Sequence, residues 1–439
     1  MRWNDEVAAR TLAYVLAGGA GRRLDPLTRY RPKPLVPFGG CFRILDFALS
    51  NCLNSELDRA YVLTQHQCEA MAAYLKKAWS RVGASHQEFA IATPAIVGKR
   101  YAGTADAILQ NLHLLQKHDR LFALVISADH VYKMDYRKLL SFHAASGADV
   151  TIATVDYPED RSSEMGILEI DEDHRVVAFE EKPRHRQRMK QSATVLVNMG
   201  VYVFNYETLA AVESTGGRPL DIAAHLIPYL LRSHKVNAYR YEDRVKGKAL
   251  YWRDVGTLGA YYDASMDLLL SDRQIDPYNE DWPIRSAGGA RLGRGVISDA
   301  GSKIEVNSVI PHGADIADAN VYHSVLSPGV VLESGVDVRH SVLLPGTVIK
   351  RGAVVRRAII DAHVIVEAGD QIGYGTERDQ SRFHVLPNGI VVVSPDHSLT
   401  AGGITKVENY SSGESHEVPE ALTDAGSVVN PHRLRLHRL

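Results

Sequence analysis

The sequence has few of the features that would assign it to a specialised class of protein. It contains only three cysteines, Cys41, Cys52 and Cys68, which are too few and too irregularly spaced for a disulfide framework or a zinc site. No apolar stretch approaches the roughly 20 residues that a membrane span needs. The first residues lack the charged start, apolar centre and cleavage site of a signal peptide. We therefore expect a protein of the reducing cytoplasm with no membrane partner.

The chain also lacks an excess of either charge. Lysine and arginine together number 50 against 52 acidic residues, which gives a formal net charge of -2. Such a balance provides no overall basic face for binding nucleic acid. Hydrophobic residues make up 45% of the 439 residues, and this length suits two or three domains with separate cores. The composition predicts an ordinary globular protein without a nucleic-acid partner.

Strand-length and helix-length segments alternate from residue 12 to about residue 275. This alternation is typical of an α/β fold, here a Rossmann-like domain with a mostly parallel sheet. Asp129 follows an unbroken apolar run at 121–126, and ligands of open α/β sheets bind beyond the carboxyl ends of the strands. We predict strands at 12–16, 61–63, 121–126, 150–155, 176–179 and 200–204, and helices at 43–55, 67–79 and 105–117.

The periodicity changes after residues 276–290, which we predict to be a linker. Valine or isoleucine then recurs every six residues, at Val330, Val336, Val342, Val348, Val354, Ile360, Val366 and Ile372. Hexapeptide periodicity is typical of a left-handed parallel β-helix with stacked triangular coils. A β-sandwich with alternating valines is the alternative, but it does not explain eight steps of six. We expect a β-helix domain at 291–395 and a polar C-terminal extension at 396–439.

A glycine-rich loop follows the first predicted strand, within the stretch 16–40. Its glycines remove side chains where backbone amides would approach a ligand, and five cationic side chains follow them. The combination suits a polyphosphate. The motifs GxxxxGK[ST] and GxGxxG are both absent, so the loop alone leaves a plain strand-to-helix turn as the alternative. The residues concerned are Gly18, Gly19 and Gly21, then Arg22, Arg23, Arg29, Arg31 and Lys33.

Ten motifs in a fixed order identify a family resemblance. They are LAGG…GRRL, RPKPLVPFGG, FRILDFALSN, TQH, YAGTADAILQN, ADHVYKMDY, EEKP, NMGVYVF, YWRDVGT and WPIR. In this order, and before a hexapeptide-repeat domain, they resemble the nucleotide-sugar pyrophosphorylases. The similarity is greatest to the ADP-glucose pyrophosphorylase (glucose-1-phosphate adenylyltransferase) family and covers roughly residues 12–395.

The resemblance implies an enzyme with a nucleotidyltransferase catalytic domain at 12–275. In that family an oxygen of glucose 1-phosphate attacks the α-phosphorus of ATP, and pyrophosphate leaves, with Mg²⁺ as cofactor. The product would supply glycogen or a related α-glucan. The resemblance also implies a homotetramer and allosteric effectors of the sugar-phosphate or AMP type.

The matching positions give each residue an implied role. The implied catalytic residues are Arg23, Lys33 and Asp129, of which the first two would bind the triphosphate and stabilise the leaving pyrophosphate. Asp129 and Asp254 are the implied metal ligands. The implied nucleotide-binding residues are Leu16, Ala17, Gly18, Gly19, Gln65, Gly103 and Thr104. The implied sugar-phosphate residues are Tyr101, Gly166, Glu181, Lys182, Asn198 and Asp254. Arg29 and Arg31 are expected at an effector site.

Departures from the family pattern leave alternatives open. A serine common in the family is Asn198 here, so another sugar 1-phosphate, such as glucosamine 1-phosphate, or another nucleotide remains possible. A lysine common in the effector segment is Tyr30, which leaves regulation uncertain. A catalytically silent regulatory subunit is a third hypothesis, although the presence of Arg23, Lys33 and Asp129 disfavours it.

Each residue also has a purely structural interpretation. Either aspartate could cap a turn, and the EKP triplet could be a solvated turn. The histidines, including His130, show no metal-ligand spacing, and we expect them to be structural.

Overall fold

The structure is a computed structural model that describes residues 3–79, 87–94, 100–183, 193–216, 219–243, 245–272, 274–286, 303–304, 307–375 and 377–396. We call residues 3–286 the α/β region and residues 303–396 the β-helix region. The strands of the α/β region are β1 (Thr11–Leu16), β2 (Pro37–Phe38), β3 (Phe42–Arg43), β4 (Arg59–Leu63), β5 (Glu88–Ala92), β6 (Phe122–Ser127), β7 (His130–Tyr132), β8 (Val150–Pro158), β9 (Gly166–Ile170), β10 (Val176–Glu181), β11 (Thr194–Asn205), β12 (Val236–Arg240), β13 (Glu242–Asp243), β14 (Lys248–Ala249) and β15 (Trp252–Asp254).

The helices of the α/β region cover both faces of its main sheet. They are α1 (Trp3–Ala9), α2 (Ile44–Asn54), α3 (Cys68–Ala78), α4 (Thr104–Gln110), α5 (His113–Lys117), α6 (Tyr136–Ser146), α7 (Tyr206–Ser214), α8 (Ile227–Leu230) and α9 (Leu258–Asp267). Short 3₁₀ turns lie at Arg22–Leu24, Lys33–Leu35 and Glu159–Arg161, and a π-helical turn lies at Ile222–Leu226. In the described part of the chain, no helix has the length and apolar character needed to cross a membrane.

Nine strands form one mixed sheet. Along the main path the order is β10-β9-β11-β6-β1-β4-β5, while β8 pairs with β11 and β12 pairs with β8. Strand β1 is parallel to β4 and β6, whereas the long strand β11 is antiparallel to β6, β8 and β9. The predicted Rossmann-like domain is confirmed, and its parallel part carries the glycine loop. Two apolar clusters fill the layers on either side of this sheet.

One predicted helix is divided in the structure. The pattern predicts a single helix at 105–117, but α4 ends at Gln110 and α5 begins at His113. Asn111 lies at the break and is buried. Its side chain donates to the carbonyl of Ala107 at 2.8 Å and to the Tyr101 hydroxyl at 3.0 Å. Such a side-chain bond to the i−4 carbonyl competes with the helical backbone bond, which explains the interruption.

The β-helix region consists of short parallel strands in three sheets. Their bounds are β16 (Lys303–Ile304), β17 (Asp315–Ile316), β18 (Asn320–Tyr322), β19 (Val325–Leu326), β20 (Val331–Leu332), β21 (Asp337–Arg339), β22 (Val342–Leu343), β23 (Val348–Ile349), β24 (Val354–Arg356), β25 (Ala358–Ile360), β26 (Ile365–Val366), β27 (Gln371–Ile372), β28 (His384–Val385) and β29 (Val391–Val393), with helix α10 (Glu377–Arg382) near the end. The three sheets run β16-β18-β21-β24-β27, β17-β20-β23-β26 and β19-β22-β25-β29-β28. The predicted parallel β-helix is confirmed.

The strict six-residue pattern is wrong at two of its eight positions. Val348 and Val354 are only partly buried, and the next residues, Ile349 and Val355, are fully buried instead. Strand partners on most adjacent coils are 17 residues apart, as in Val325 and Val342, which is one residue short of three hexapeptides. A coil of this length shifts the buried phase by one residue, so an exact period of six cannot hold throughout.

A third apolar cluster joins the two regions. From the α/β region it includes Phe38, Phe42, Ile44, Phe47 and Tyr261, and from the β-helix region it includes Val309, Val325, Val342, Ile359 and Val392. The described part of the predicted linker packs against α2, where Trp282 Nε1 donates to Asn51 Oδ1 at 2.9 Å. Residues 287–302 and 397–439 lie outside the described residues, so the predicted linker end and C-terminal extension stay predictions.

Candidate active site

Two aspartates from distant parts of the chain meet at the carboxyl edge of the sheet. Asp129 lies just beyond the end of β6, and Asp254 is the last residue of β15. Strand β15 pairs antiparallel with β7, and this register sets Asp254 opposite His130. Ligands bind at this edge in open α/β sheets. The structure therefore brings the two predicted metal ligands into one site.

Lys33 extends its ammonium group toward both aspartates. Its side chain is 8% exposed, and Nζ donates to Asp129 Oδ2 at 2.7 Å and lies 3.7 Å from Asp254 Oδ1. Burial is the largest single influence and opposes ionisation of Asp129. The charge and hydrogen bond of Lys33, with contributions from His130 and Ser127, together outweigh it and lower the pKa of Asp129 below its usual range. Asp129 is therefore an ionised carboxylate at neutral pH.

The glycine loop folds back against the segment that carries Lys33. Gly21 has φ 65°, and a Cβ there would meet Lys33 Cβ at 3.0 Å and Thr28 Cγ2 at 3.1 Å, so this left-handed, crowded position favours glycine. The next turn presents Arg23, whose Nη1 lies 4.0 Å from Glu164, with more than half of each side chain exposed. Exposed pairs of this kind contribute little energy, so the Arg23 guanidinium can turn toward an anion.

Gln65 connects the glycine loop to the segment that begins at Tyr101. Its Nε2 donates to the Gly18 carbonyl at 3.1 Å, and its Oε1 accepts from the Tyr101 amide at 2.6 Å. Gly103 packs against Leu220, whose carbonyl oxygen would lie 2.1 Å from a Cβ at position 103. The close backbone approach predicted for Gly103 is therefore made to Leu220.

Thr104 and Asp221 fix the edge of the site next to this segment. The Thr104 hydroxyl donates to Asp221 Oδ2 and accepts from the Ile222 amide, both at 2.9 Å. The Tyr101 ring is buried in an apolar cluster, and its hydroxyl accepts a hydrogen bond from Asn111. The structure thus places the Tyr101 side chain in the core.

A glutamate and a lysine from the end of β10 also belong to the site. Glu181 lies across from Gly166 in the antiparallel pair β9–β10. Lys182 Nζ is 3.9 Å from Glu181 Oε1, and half of the lysine side chain is exposed. Burial raises the pKa of Glu181, while Lys182 opposes that rise. Lys182 thus combines a long ion pair with Glu181 and a half-exposed side chain at the cavity surface.

Asn198 lies at a bulge in β11 and lines the same cavity as Glu181 and Lys182. The pairing of β11 with β8 shifts register between Asn198 and Tyr202, and bulges often redirect side chains near active sites. Asn198 Nδ2 donates to the Tyr202 hydroxyl at 2.6 Å, and Oδ1 accepts from the Gly200 amide at 2.9 Å. These two hydrogen bonds use one amide hydrogen and one acceptor lone pair of Asn198 and leave the second of each.

These groups surround one cavity of about 290 Å³. Nine of the predicted site residues line it: Leu16, Arg23, Thr104, Asp129, Gly166, Glu181, Lys182, Asn198 and Asp254. Lys33 reaches the same place through its contact with Asp129. Of the described residues predicted for the site, those outside the lining are Ala17, Gly18, Gly19, Gln65, Tyr101 and Gly103.

Arg29 and Arg31 bind carboxylates away from the cavity. Arg29 Nη2 lies 2.8 Å from Asp25 Oδ2, and Arg29 also contacts Asp396. Arg31 Nη1 donates to Oδ1 of Asp361, a fully buried residue of the β-helix region, at 2.8 Å. The effector role proposed for both arginines stays a prediction.

Ten further lining residues were not assigned to the site from the sequence. They are Ser127, His130, Glu164, Met165, Gly200, Tyr202, Asp221, Ile222, Ala223 and Trp252. Ser127, His130 and Trp252 carried a usable signal because each lies within two residues of a predicted metal ligand. Glu164 has no motif of its own and could not have been found from the sequence pattern.

The residues at the sheet edge fit a divalent cation. Asp129, His130 and Asp254 offer ligand atoms that all lie within 4.8 Å of one another. Asp254 Oδ1 is buried and makes no hydrogen bond to any described residue. Leaving such an oxygen unpaired is unfavourable unless a ligand or ion occupies its other side. Carboxylates are also the ligands that Mg²⁺ prefers.

Comparison with known proteins gives the same class of protein as the fold and the site. Residues 12–271 match the nucleotidyl transferase family, and residues 295–393 match the GlmU-like C-terminal hexapeptide family. The chain therefore belongs to the nucleotidyl transferases.

Curated relatives narrow the family further. Glucose-1-phosphate adenylyltransferase 2 of Alkalilimnicola ehrlichii is 37% identical over 90% of this chain and 96% of its own length. Glucose-1-phosphate adenylyltransferase of Dechloromonas aromatica is 38% identical over 90% of this chain and 93% of its own length. Within the nucleotidyl transferases, the chain is a member of the glucose-1-phosphate adenylyltransferase family.

Proposed function

We propose that the protein converts ATP and α-D-glucose 1-phosphate to ADP-glucose and diphosphate, and so supplies glycogen or a related α-glucan. One observation supports this most directly: Lys33 contacts Asp129 and Asp254, and both aspartates line the same cavity as Glu181 and Lys182. Cationic groups from two parts of the chain suit a reaction that joins two phosphate esters.

The residues would promote the reaction mainly by position and charge. An oxygen of the sugar phosphate forms a bond to the α-phosphorus while the bond from that phosphorus to the β-phosphate oxygen breaks. Arg23 and Lys33 would bind the triphosphate and stabilise the negative charge that develops on the leaving diphosphate. Lys182 would hold the sugar phosphate within reach of the α-phosphorus.

Asp129 and Asp254 would hold Mg²⁺. When bound, the cation would neutralise charge on the reacting phosphates and help to orient them. The buried, unpaired oxygen of Asp254 supports this assignment. At the sugar end, Glu181 and Asn198 would bind hydroxyl groups of glucose.

A substrate panel tests the reaction. Diphosphate release would be measured with ATP, UTP, dTTP and GTP against several sugar 1-phosphates in the presence of Mg²⁺. We expect the highest kcat/KM with ATP and glucose 1-phosphate. Failure of folded protein to release diphosphate from any pair would reject the enzyme hypothesis and favour a catalytically silent regulatory subunit.

The same panel tests a second substrate. Three carboxylates, those of Glu164, Glu181 and Asp221, line the cavity and would attract a sugar that carries an ammonium group. Together with Asn198 they make glucosamine 1-phosphate the alternative substrate. A higher kcat/KM for glucosamine 1-phosphate than for glucose 1-phosphate would favour this alternative.

We also propose a cytoplasmic homotetramer that responds to sugar-phosphate or AMP-type effectors at Arg29 and Arg31. The stacking surfaces typical of β-helices support association, and the two arginines could bind anions if their carboxylate partners were displaced. We propose four segments: the catalytic domain at 12–275, the linker at 276–290, the β-helix domain at 291–395 and the C-terminal extension at 396–439. Sedimentation analysis and effector titrations would test the assembly and the regulation.

A further inference from the structure

We propose that His130 is a third protein ligand of the divalent cation, beside Asp129 and Asp254. This inference rests on the proposed metal-dependent function, and it changes the expected donor set from carboxylates alone to two carboxylates and one imidazole. The spacing of the histidines along the sequence did not indicate a metal ligand. Three features of the structure support this role: the ring nitrogen that faces the carboxylates, the distances between the ligand atoms, and the packing that holds the ring.

The contact with Met199 determines the direction of the free nitrogen. His130 Nδ1 lies 3.0 Å from the Met199 carbonyl oxygen, and a carbonyl can only accept a hydrogen bond. Nδ1 must therefore carry the proton, which leaves the lone pair of the neutral ring on Nε2. Metal-binding histidines commonly donate their other nitrogen to a carbonyl or carboxylate in this way.

The distances around Nε2 match those between ligands of one ion. Nε2 is 3.4 Å from Asp129 Oδ1 and 3.9 Å from Asp254 Oδ1. Ligands bound at about 2.1 Å in an octahedral arrangement lie about 3 Å apart when adjacent and about 4.2 Å apart when opposite. Lys33 binds the other oxygen of Asp129, Oδ2. Oδ1 accepts a hydrogen bond from the Ser127 hydroxyl and also faces His130, and a carboxylate oxygen has a second lone pair for a cation.

Packing holds the ring in this position. Gly200 has φ 68°, and a Cβ there would lie 2.9 Å from His130 Cε1, so a larger residue would push the imidazole away. Trp252 packs edge-on against the ring, with centroids 5.0 Å apart and an interplanar angle of 72°. The His130 side chain is 12% exposed. A ring fixed on three sides is oriented before the ion arrives.

An imidazole ligand has a consequence for metal choice. Nitrogen ligands favour the later divalent transition metals over Mg²⁺, which prefers oxygen. The site should therefore bind Co²⁺ and Mn²⁺ at least as well as Mg²⁺. His130→Gln should weaken Co²⁺ binding by about tenfold or more and weaken Mg²⁺ binding less.

Pulsed electron paramagnetic resonance on the full-length, tag-free protein with Mn²⁺ alone tests the ligand directly. Wild type should show nitrogen modulation from a coordinated imidazole, and the signal should change when histidine is labelled with ¹⁵N. His130→Gln should lose the modulation. The matched control His113→Gln, at an exposed position, should retain it. The ¹⁵N-labelling experiment uses wild-type protein, so it tests imidazole coordination even if His130→Gln does not fold.

Two negative results have different meanings. Mn²⁺ binding that is lost in Asp129→Asn but shows no nitrogen coupling in wild type would overturn the His130 inference and leave the proposed function intact. If wild type binds no Mn²⁺ at all, the metal site and the inference are both wrong. The substrate panel described above tests the nucleotidyl transfer separately, because it measures diphosphate release.

Discussion

The active site and the β-helix place polar groups inside the protein in different ways. At the active site, Lys33, Asp129 and Asp254 come together from distant parts of the chain, and Asp254 Oδ1 has no hydrogen bond to a described residue. In the β-helix, the buried Ser341 hydroxyl donates to the Arg339 carbonyl at 2.8 Å and accepts from the Ala358 amide at 3.2 Å.

The two regions differ in which groups complete the hydrogen bonds of their buried polar atoms. The serine bonds repeat at the spacing of the coils, since the Ser324 hydroxyl likewise accepts from the Ser341 amide, and they are complete within the protein. In the proposed active site, a bound substrate and a cation would complete the contacts. Substitutions at the active site should therefore change catalysis more than stability, and substitutions in the serine ladder should do the opposite.

The largest effect is expected from Asp129→Asn. Loss of this carboxylate removes a metal ligand and the partner of Lys33, so diphosphate release should fall by about a thousandfold, the equivalent of roughly 4 kcal/mol. The thermal unfolding midpoint should change by only a few degrees. The exposed control Asp173→Asn should leave turnover unchanged. Near-normal turnover in Asp129→Asn would contradict the catalytic role.

The second prediction concerns pH and a buried carboxylate outside the cavity lining. Asp46 in α2 is fully buried and accepts hydrogen bonds from Tyr74 and Trp79. Burial raises the pKa of Asp46 to about 6 from a usual value of 3.8. The folded state thus binds this proton more tightly than the unfolded state. The stabilising contribution is present below about pH 4 and is lost as the pH rises through about 6.

Asp46→Asn should remove this dependence. The contribution amounts to about 3 kcal/mol at most, and its loss in wild type should appear as a fall in the unfolding midpoint between pH 4 and pH 7. The variant should show a flatter profile over the same range. Identical profiles for the two proteins would show that Asp46 ionises normally and that another group governs the pH dependence.

The third prediction separates the two substrates. Lys182→Ala should raise KM for glucose 1-phosphate by about 10- to 100-fold, because a charged hydrogen bond to the phosphate is lost, and should change KM for ATP little. Lys246, which is exposed and lies 4.0 Å from Asp243, provides the matched control Lys246→Ala. Equal effects on both Michaelis constants would reject the assignment of Lys182 to the sugar phosphate.

The smallest effect is expected in the serine ladder. Ser341→Ala leaves the Ala358 amide without its partner, which should destabilise the protein by about 1–2 kcal/mol and lower the unfolding midpoint by several degrees. Diphosphate release at low temperature should stay within about twofold of wild type. The partly exposed Ser334→Ala serves as control. A large loss of activity with unchanged stability would break the proposed division between the two regions.

The sequence pattern predicted the parts of the fold that depend on local repetition. It predicted the parallel strands β1, β4 and β6, of which β1 precedes the glycine loop, and it placed Asp129 at the end of β6. The hexapeptide period predicted the β-helix, but the pattern could not show the 17-residue coil that moves the buried position from Val348 to Ile349. The period of a sequence pattern gives only a number of residues and carries no information about the bends between coils.

The sequence pattern could not predict the register between strands that are far apart in the chain. Asp254 was found through a motif resemblance, because only the pairing of β15 with β7 brings it to Asp129. The same pairing sets His130 opposite Asp254, and neither this position nor the contact of His130 with Met199 follows from the spacing of histidines in the sequence. The break between α4 and α5 was not predicted for a similar reason, since it depends on a side-chain hydrogen bond of Asn111.

The apolar cluster that joins the two regions also has a consequence during synthesis. Phe38, Phe42 and Phe47 leave the ribosome with the α/β region, but their partners Val342 and Val392 are made last. At about 5–20 residues per second, the 106 residues from 286 to 392 take roughly 5–20 s. The newly made α/β region must remain soluble for that time with one apolar surface uncovered, which makes it a potential client for a chaperone until the β-helix is complete.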